Sequence, residues 1–193
     1  MNAADQLLLF NATNALIQAD LRNVEEEMGI DLGLDTVASE EGINDYYPQV
    51  SASIRAEAAE MAGHYELFYC LENFIRDTVS AQLLAAEGDA WWAKLVPEPV
   101  KDNVRKNMQR EEEAGITVRS QDLIDYATFG ELSQIIQANW DVFNDTFNNK
   151  KATSRVLSGL NMLRGPIAHC SPLANDEISR LRLALKDFFR LME

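Results

Sequence analysis

From Gln49 to Glu87 the chain runs without a proline, with Gly63 as the sole glycine. Its apolar residues recur at the spacing of one helix face: Tyr65, Phe68, Ile75 and Val79 in register, with Leu67, Leu71, Phe74 and Thr78 flanking them. Side chains three and four apart stack on one side of an α-helix, so this pattern predicts a single helix of about 39 residues, with a kink near Gly63 and an end at Gly88. A rod of that length dictates what the rest of the chain can do, because its apolar stripe has to be covered by other elements. Glu72 sits within the stripe. A carboxylate removed from water needs a partner, and Arg76, four residues on, is placed to supply it.

The remaining segments also read as helices. Residues 3–28 carry an imperfect apolar face that stops at Gly29, and the glycine- and acid-rich stretch 29–47 reads as loop. Residues 89–100 form a connector in which Pro97 and Pro99 forbid a long helix. A charged helix over 101–114 ends at Gly115, and a short one over 121–127 is capped by Ser120 or Asp122. Thr128-Phe129-Gly130-Glu131 opens a helix reaching about Trp140, with Leu132, Ile135 and Ile136 inward. Helix 151–164 follows and Gly165-Pro166 breaks it. Asn175-Asp176-Glu177 then caps a last helix over 176–192. No segment has the alternating pattern of a strand, so the expectation is all-α: a helical bundle with long helices, covering 48–193, preceded by an acidic helix-and-loop appendage over 1–47.

Charge narrows the function classes. The 193 residues carry a net charge of −14. Residues 1–60 hold 12 acids and 2 bases, whereas 61–193 hold 19 acids and 15 bases. A whole-molecule positive field for nucleic acid is absent, so any nucleic-acid site has to be a local patch. The two cysteines, Cys70 and Cys170, lack the spacing of a zinc site, and two reduced thiols agree with a cytoplasmic setting. The N-terminus has no basic region followed by an apolar run, and no stretch approaches the length of a membrane span, so neither a signal peptide nor a membrane partner is expected.

Arg164 and His169 are the candidate chemistry. Guanidinium binds phosphate oxygens bidentately and imidazole moves a proton near neutral pH, so the pair suits cleavage of a phosphate ester with no metal or other cofactor. The structural alternative is an arginine at a helix end and a histidine satisfied by packing. From Lys150 to Arg164 the bases Lys150, Lys151, Arg155 and Arg164 occur without an acid. This is a locally positive stripe that could hold a phosphate backbone or be a solvated face. Trp91, Trp92 and Trp140 are read as core packing, and His64 as a surface or core histidine. Cys170 adjoins His169, but neighbouring side chains point apart, which argues against thiol catalysis.

The run from Leu157 to His169, LSGLNMLRGPIAH, resembles the R-x4–6-H signature of HEPN domains, an all-α superfamily rich in RNA-cleaving toxins and defence ribonucleases. Leu71-Glu72-Asn73-Phe74-Ile75-Arg76 is similar to a segment of the long HEPN helix. Gly130-Glu131-Leu132, Trp140 to Phe143 and Asn149-Lys150-Lys151 resemble, in order, the approach to the signature in a branch linked to RNA-surveillance endonucleases. The resemblance covers about residues 50–192. It implies a helical bundle forming a two-fold homodimer, whose paired motifs make a metal-independent ribonuclease site that leaves a cyclic phosphate. It implies RNA as substrate and an antitoxin or other defence-system partner. Arg164 and His169 match the catalytic pair. Glu72, Asn73 and Arg76, with Lys150, Lys151, Arg155 and Asn161, are the substrate-binding candidates. Gly165 stands where the family commonly has a polar residue, which motivates a second expectation: an inactive HEPN dimer that binds a protein or nucleotide. The acidic N-terminal segment is read as a partner-binding appendage or an intramolecular mimic of nucleic acid.

Overall fold

A computed structural model describes residues 49–193 and, ahead of them, Asp20, Leu21, Val24, Met28 and Gly29. The expected helix over 3–28 and loop over 29–47 fall almost wholly outside the described residues. The chain divides into two units after Ile54, and every residue of the site lies in the second, Arg55–Glu193. The described residues form helices and turns with no strand.

The long helix is present as α1, Ala52–Glu87, and runs without interruption through Gly63. Gly88 follows it with φ +62°, a left-handed conformation that glycine adopts without steric cost. The inward stripe is Phe68, Leu71, Ile75, Val79 and Leu83. Each such side chain contributes about 1.5–3 kcal/mol on burial, so this stripe anchors the bundle. Tyr65 and Phe74, expected on the covered face and its flank, are 60% and 40% exposed. Periodicity set their angular position, but too little packs over them.

A 3-10 turn, Gly88–Ala90, leads into a short helix α2, Trp91–Leu95. Helix α3 then spans Glu98–Ala114, three residues earlier than expected. Its Pro97 and Pro99 occupy the N-cap and first turn, where a missing N–H costs nothing, so they start the helix instead of preventing it. Gly115, at φ +64°, ends it. The segment expected as a short helix over 121–127 is a 3-10 turn, Leu123–Tyr126. Helix α4, Phe129–Ala138, begins with a full capping box in which Thr128 and Glu131 satisfy each other's backbone. It stops at Asn139, and α5, Trp140–Phe143, follows.

Helix α6 spans Lys150–Ala168 and therefore passes straight through Gly165-Pro166, where the sequence suggested a break. Pro166 forfeits one hydrogen bond near the helix end. Leu163 and Ile167, one turn apart, are both buried and hold this turn against the core. The real terminus lies beyond it. The Ser171 N–H donates to the Pro166 carbonyl (2.9 Å) and the Cys170 N–H to that of Ile167 (3.3 Å), a Schellman closure with Cys170 in the left-handed region at φ 54°. Helix α7, Asn175–Arg190, completes the bundle; its N-cap is Ala174, not Asn175, although Asp176 and Glu177 do occupy the first turn. Helix α6 packs on α4 and α7. Helix α1 joins them through ring contacts, Phe68 on Phe129 and Phe74 on Phe188. Among the described residues no helix is long and apolar enough to cross a membrane.

Candidate functional site

Helices α1 and α6 meet where Glu72 faces Arg164. The Arg164 Nε donates to Glu72 Oε2 at 2.9 Å. The other carboxylate oxygen, Oε1, accepts from Arg76 Nη2 at 3.1 Å. Glu72 thus has the i,i+4 partner expected of it and a second one 92 residues away that no local pattern could reveal. One carboxylate between two guanidiniums resolves why an acid stands beside the core stripe: each of its oxygens is engaged, and the side chain is only 16% exposed.

Arg76 is the more deeply held arginine. Its Nη1 donates to Asn73 Oδ1 at 2.7 Å, its Nε to the Ile124 carbonyl at 3.3 Å, and Asp125 stands 3.6 Å away. Asn73 in turn donates from Nδ2 to the Tyr69 carbonyl at 2.8 Å. The result is a chain of polar contacts, Tyr69–Asn73–Arg76–Glu72–Arg164, that fixes Arg164 through its Nε edge. Among the described residues neither Nη of Arg164 makes a hydrogen bond. That end of the guanidinium is the fork that suits a phosphate.

The fork opens on a cleft of about 290 Å³ lined by both elements: Tyr65, Tyr69, Glu72, Asn73 and Arg76 from α1, and Arg164 with Ile167 and Ala168 from α6. Arg119 enters from the loop after α3. Its Nε and Nη2 pair with Glu111, whose Oε2 also accepts the Arg119 backbone N–H at 3.3 Å. Hydrogen bonding from the Arg119 side chain holds the Glu111 carboxyl below its ordinary range, against the opposing effect of burial. The Arg119 guanidinium lies 4.9 Å from the ring centre of Tyr126. Burial first, and Glu111 second, push the Tyr126 phenol above its ordinary value. Three arginines, Arg76, Arg119 and Arg164, thus reach one cleft of a strongly acidic chain, each held beside a carboxylate: Asp125 and Glu72, Glu111, and Glu72.

His169 is the C-cap of α6 and lies exposed, one residue beyond the Ala168 that lines the cleft. Lys150, Lys151 and Arg155 do not join the site. They stand exposed near the other end of α6 and line a separate shallow depression with Gln137, Ser154 and Ser158. Lys151 and Arg155 fall on the side of the helix opposite the buried Leu160 and Ile167, whereas Arg164 borders that buried side. The positive stripe seen along the sequence is therefore divided in space. Asn161 is exposed and lies against Gly130, where its Nδ2 would be 3.4 Å from an added Cβ. Among the described residues no group of three or more His, Cys, Asp or Glu is placed to hold a metal ion.

Besides the apolar Phe68, Ile167 and Ala168, three lining residues with polar groups, Tyr65, Tyr69 and Arg119, escaped the sequence reading as site members. Tyr65 and Tyr69 had a usable signal: Tyr69, Glu72, Asn73 and Arg76 follow Tyr65 by four, seven, eight and eleven residues, which places all five on one face of α1. Arg119 had none, because it lies in a loop. A family model described as Swt1-like HEPN matches residues 66–193, the region that contains every cleft-lining residue except Tyr65. No curated protein and no solved structure matches the chain.

Proposed function

This chain belongs to the Swt1-like HEPN family, and on that premise we propose that it is a metal-independent endoribonuclease acting as a homodimer, with Arg164 and His169 of both protomers forming a composite site. The observation that carries this reading is the setting of Arg164: anchored through Nε by Glu72 and, among the described residues, unpaired at the phosphate-binding edge, in a cleft it shares with Arg76 and Arg119.

In this scheme the 2′-hydroxyl of one nucleotide attacks the adjacent phosphorus. The 2′-O–P bond forms, the P–5′-O bond breaks, and a cyclic phosphate and a free 5′-hydroxyl result. The attack needs a proton acceptor and the departure needs a proton donor. One chain has one histidine at this position, so a two-fold dimer supplies both. The arginines stabilise the charge that gathers on the non-bridging oxygens. A toxin or phage-defence role in the cytoplasm, with an antitoxin or other defence partner, is the setting that the HEPN resemblance implies. Residues 1–47 are then an acidic appendage open to such a partner.

The test is cleavage of single-stranded and structured RNA in EDTA by the wild type and by His169→Ala. General acid–base catalysis is worth about 10²–10⁴-fold, and a loss of that size is expected. Equal cleavage by the two proteins overturns the proposal. A second reading has its own observation. Among the described residues nothing outside the helix's own backbone and the chain neighbours lies within 4 Å of a Cβ built on Gly165, so packing does not demand glycine there, and position 165 offers Arg164 no polar side chain. On that reading the dimer binds a protein or nucleotide without cutting. It is favoured if the wild type is dimeric and silent, and if Arg164→Ala and His169→Ala leave partner binding unchanged.

A further inference from the structure

One wall of the cleft takes no part in the cleavage chemistry. Tyr65 and Tyr69, one turn apart on α1, each stand 60% exposed. Their ring centres are 6.3 Å apart and the planes are tilted by 34°. Two large rings left in water beside a cleft forgo the stabilisation that burial would bring. They are also not loosely attached to the site. The Tyr69 carbonyl accepts from Asn73, which binds Arg76, which binds Glu72, which binds Arg164. The backbone that carries Tyr69 and the open edge of Arg164 thus belong to one connected framework, and both rings line the same cleft with Arg119 as a further cation. A planar ring face next to a guanidinium fork matches a nucleotide, whose base stacks and whose phosphate takes paired donors. A purely apolar partner would have to desolvate the open Nη edge of Arg164 without pairing it.

We propose that Tyr65 and Tyr69 stack an unpaired base of single-stranded RNA next to the phosphate held by Arg164, so that the cleft selects an unpaired nucleotide step. The proposal rests on the phosphate-binding role given to Arg164 above. It is separable from cleavage, because stacking is read by binding alone. A base held in a duplex is already stacked on its neighbours and cannot enter, so double-stranded RNA is excluded from this subsite.

The experiment is fluorescence anisotropy with the full wild-type chain and 2′-O-methyl oligoadenylate, which lacks the attacking hydroxyl and cannot be cut. The comparison ligand is the same ribose-phosphate backbone without bases. Base–aromatic stacking contributes about 1–3 kcal/mol per base, so the intact oligomer should bind about 5- to 150-fold more tightly. Tyr65→Leu with Tyr69→Leu should reduce that ratio to near one, and the Phe pair should restore it. Because both tyrosines are exposed, the Leu variant should melt like the wild type. Equal affinity for the two ligands overturns the proposal, as does a preference that survives the double Leu variant. Base-dependent binding without cleavage would leave the stacking site standing while the ribonuclease reading fails; cleavage without base-dependent binding would do the reverse.

Discussion

Glu72 shows how one side chain couples two helices. Its oxygens hold Arg76 within α1 and Arg164 across on α6, so it sets the direction of the arginine that faces the cleft. Glu72→Gln keeps the shape and removes the charge. Among the described residues Arg76, 13% exposed, then has only Asp125 as a nearby anion. Loss of one side of such a partly buried pair should lower stability by about 1–3 kcal/mol, seen as a lower urea midpoint with an unchanged slope. RNA cleavage should fall about tenfold or more beyond anything due to unfolding, measured at a temperature where both proteins are folded. Full activity in the folded variant would reduce Glu72 to a structural role. Asn73 and Arg76 stood beside Glu72 in the sequence through the resemblance of Leu71–Arg76 to the long HEPN helix, and both line the cleft. The link to Arg164 was not legible there, because nothing local in either segment encodes a contact over 92 residues.

At the scale of elements, the end of α6 decides where His169 stands. A glycine and a proline together argue for a break, and the intrinsic propensities of those two residues are correctly unfavourable. Burial of Leu163 and Ile167 outweighs them, and the helix continues to Ala168. The closure that follows uses Cys170 at φ 54°, a conformation that strains a residue with a Cβ. Cys170→Gly should therefore stabilise the protein by about 1 kcal/mol, measured by thermal melting, with the position of His169 and any cleavage activity preserved. A lower melting temperature would mean that the cysteine side chain makes a contact worth more than the strain. Pro97 and Pro99 teach the converse lesson. They look like helix breakers in the sequence, yet at an N-terminus the same chemistry initiates α3.

Across the whole molecule, a net charge of −14 coexists with a cleft lined by three arginines. The fold achieves this by bringing Arg76, Arg119 and Arg164 together from three places in the chain. Arg119 is held there by Glu111, which gives a prediction for acid stability. The Glu111 carboxyl is depressed in the folded state, so the native protein binds its proton less readily than the unfolded chain does. The stabilisation it provides is present above the ordinary value of 4.5 and is lost as pH falls through the folded value. Comparing wild type with Glu111→Gln cancels the relief of self-repulsion that both share as carboxylates protonate. Their difference in unfolding free energy, from urea titrations between pH 7 and pH 3, should be largest at neutral pH and shrink below pH 4.5. A difference that stays constant over that range would remove Glu111 as the source.

The sequence by itself determined the class of the fold and the family. The 3.6-residue recurrence through Phe68, Leu71, Ile75 and Val79 requires a long helix with a covered side, and the ordered motifs from Glu72 to His169 identify a HEPN domain. These are properties of local spacing and order, and spacing is written directly in the chain. What the tertiary structure decided is which side chains share a space. It joined Arg164 to Glu72, Arg119 and the two tyrosines, whereas the separation of Lys151 and Arg155 from Arg164 already follows from their spacing once α6 is one helix. Packing of α6 against its neighbours sets the rotation of that helix, and rotation alone determines whether a residue faces the cleft or the solvent. No count along the sequence carries that angle until the partner helices are in place.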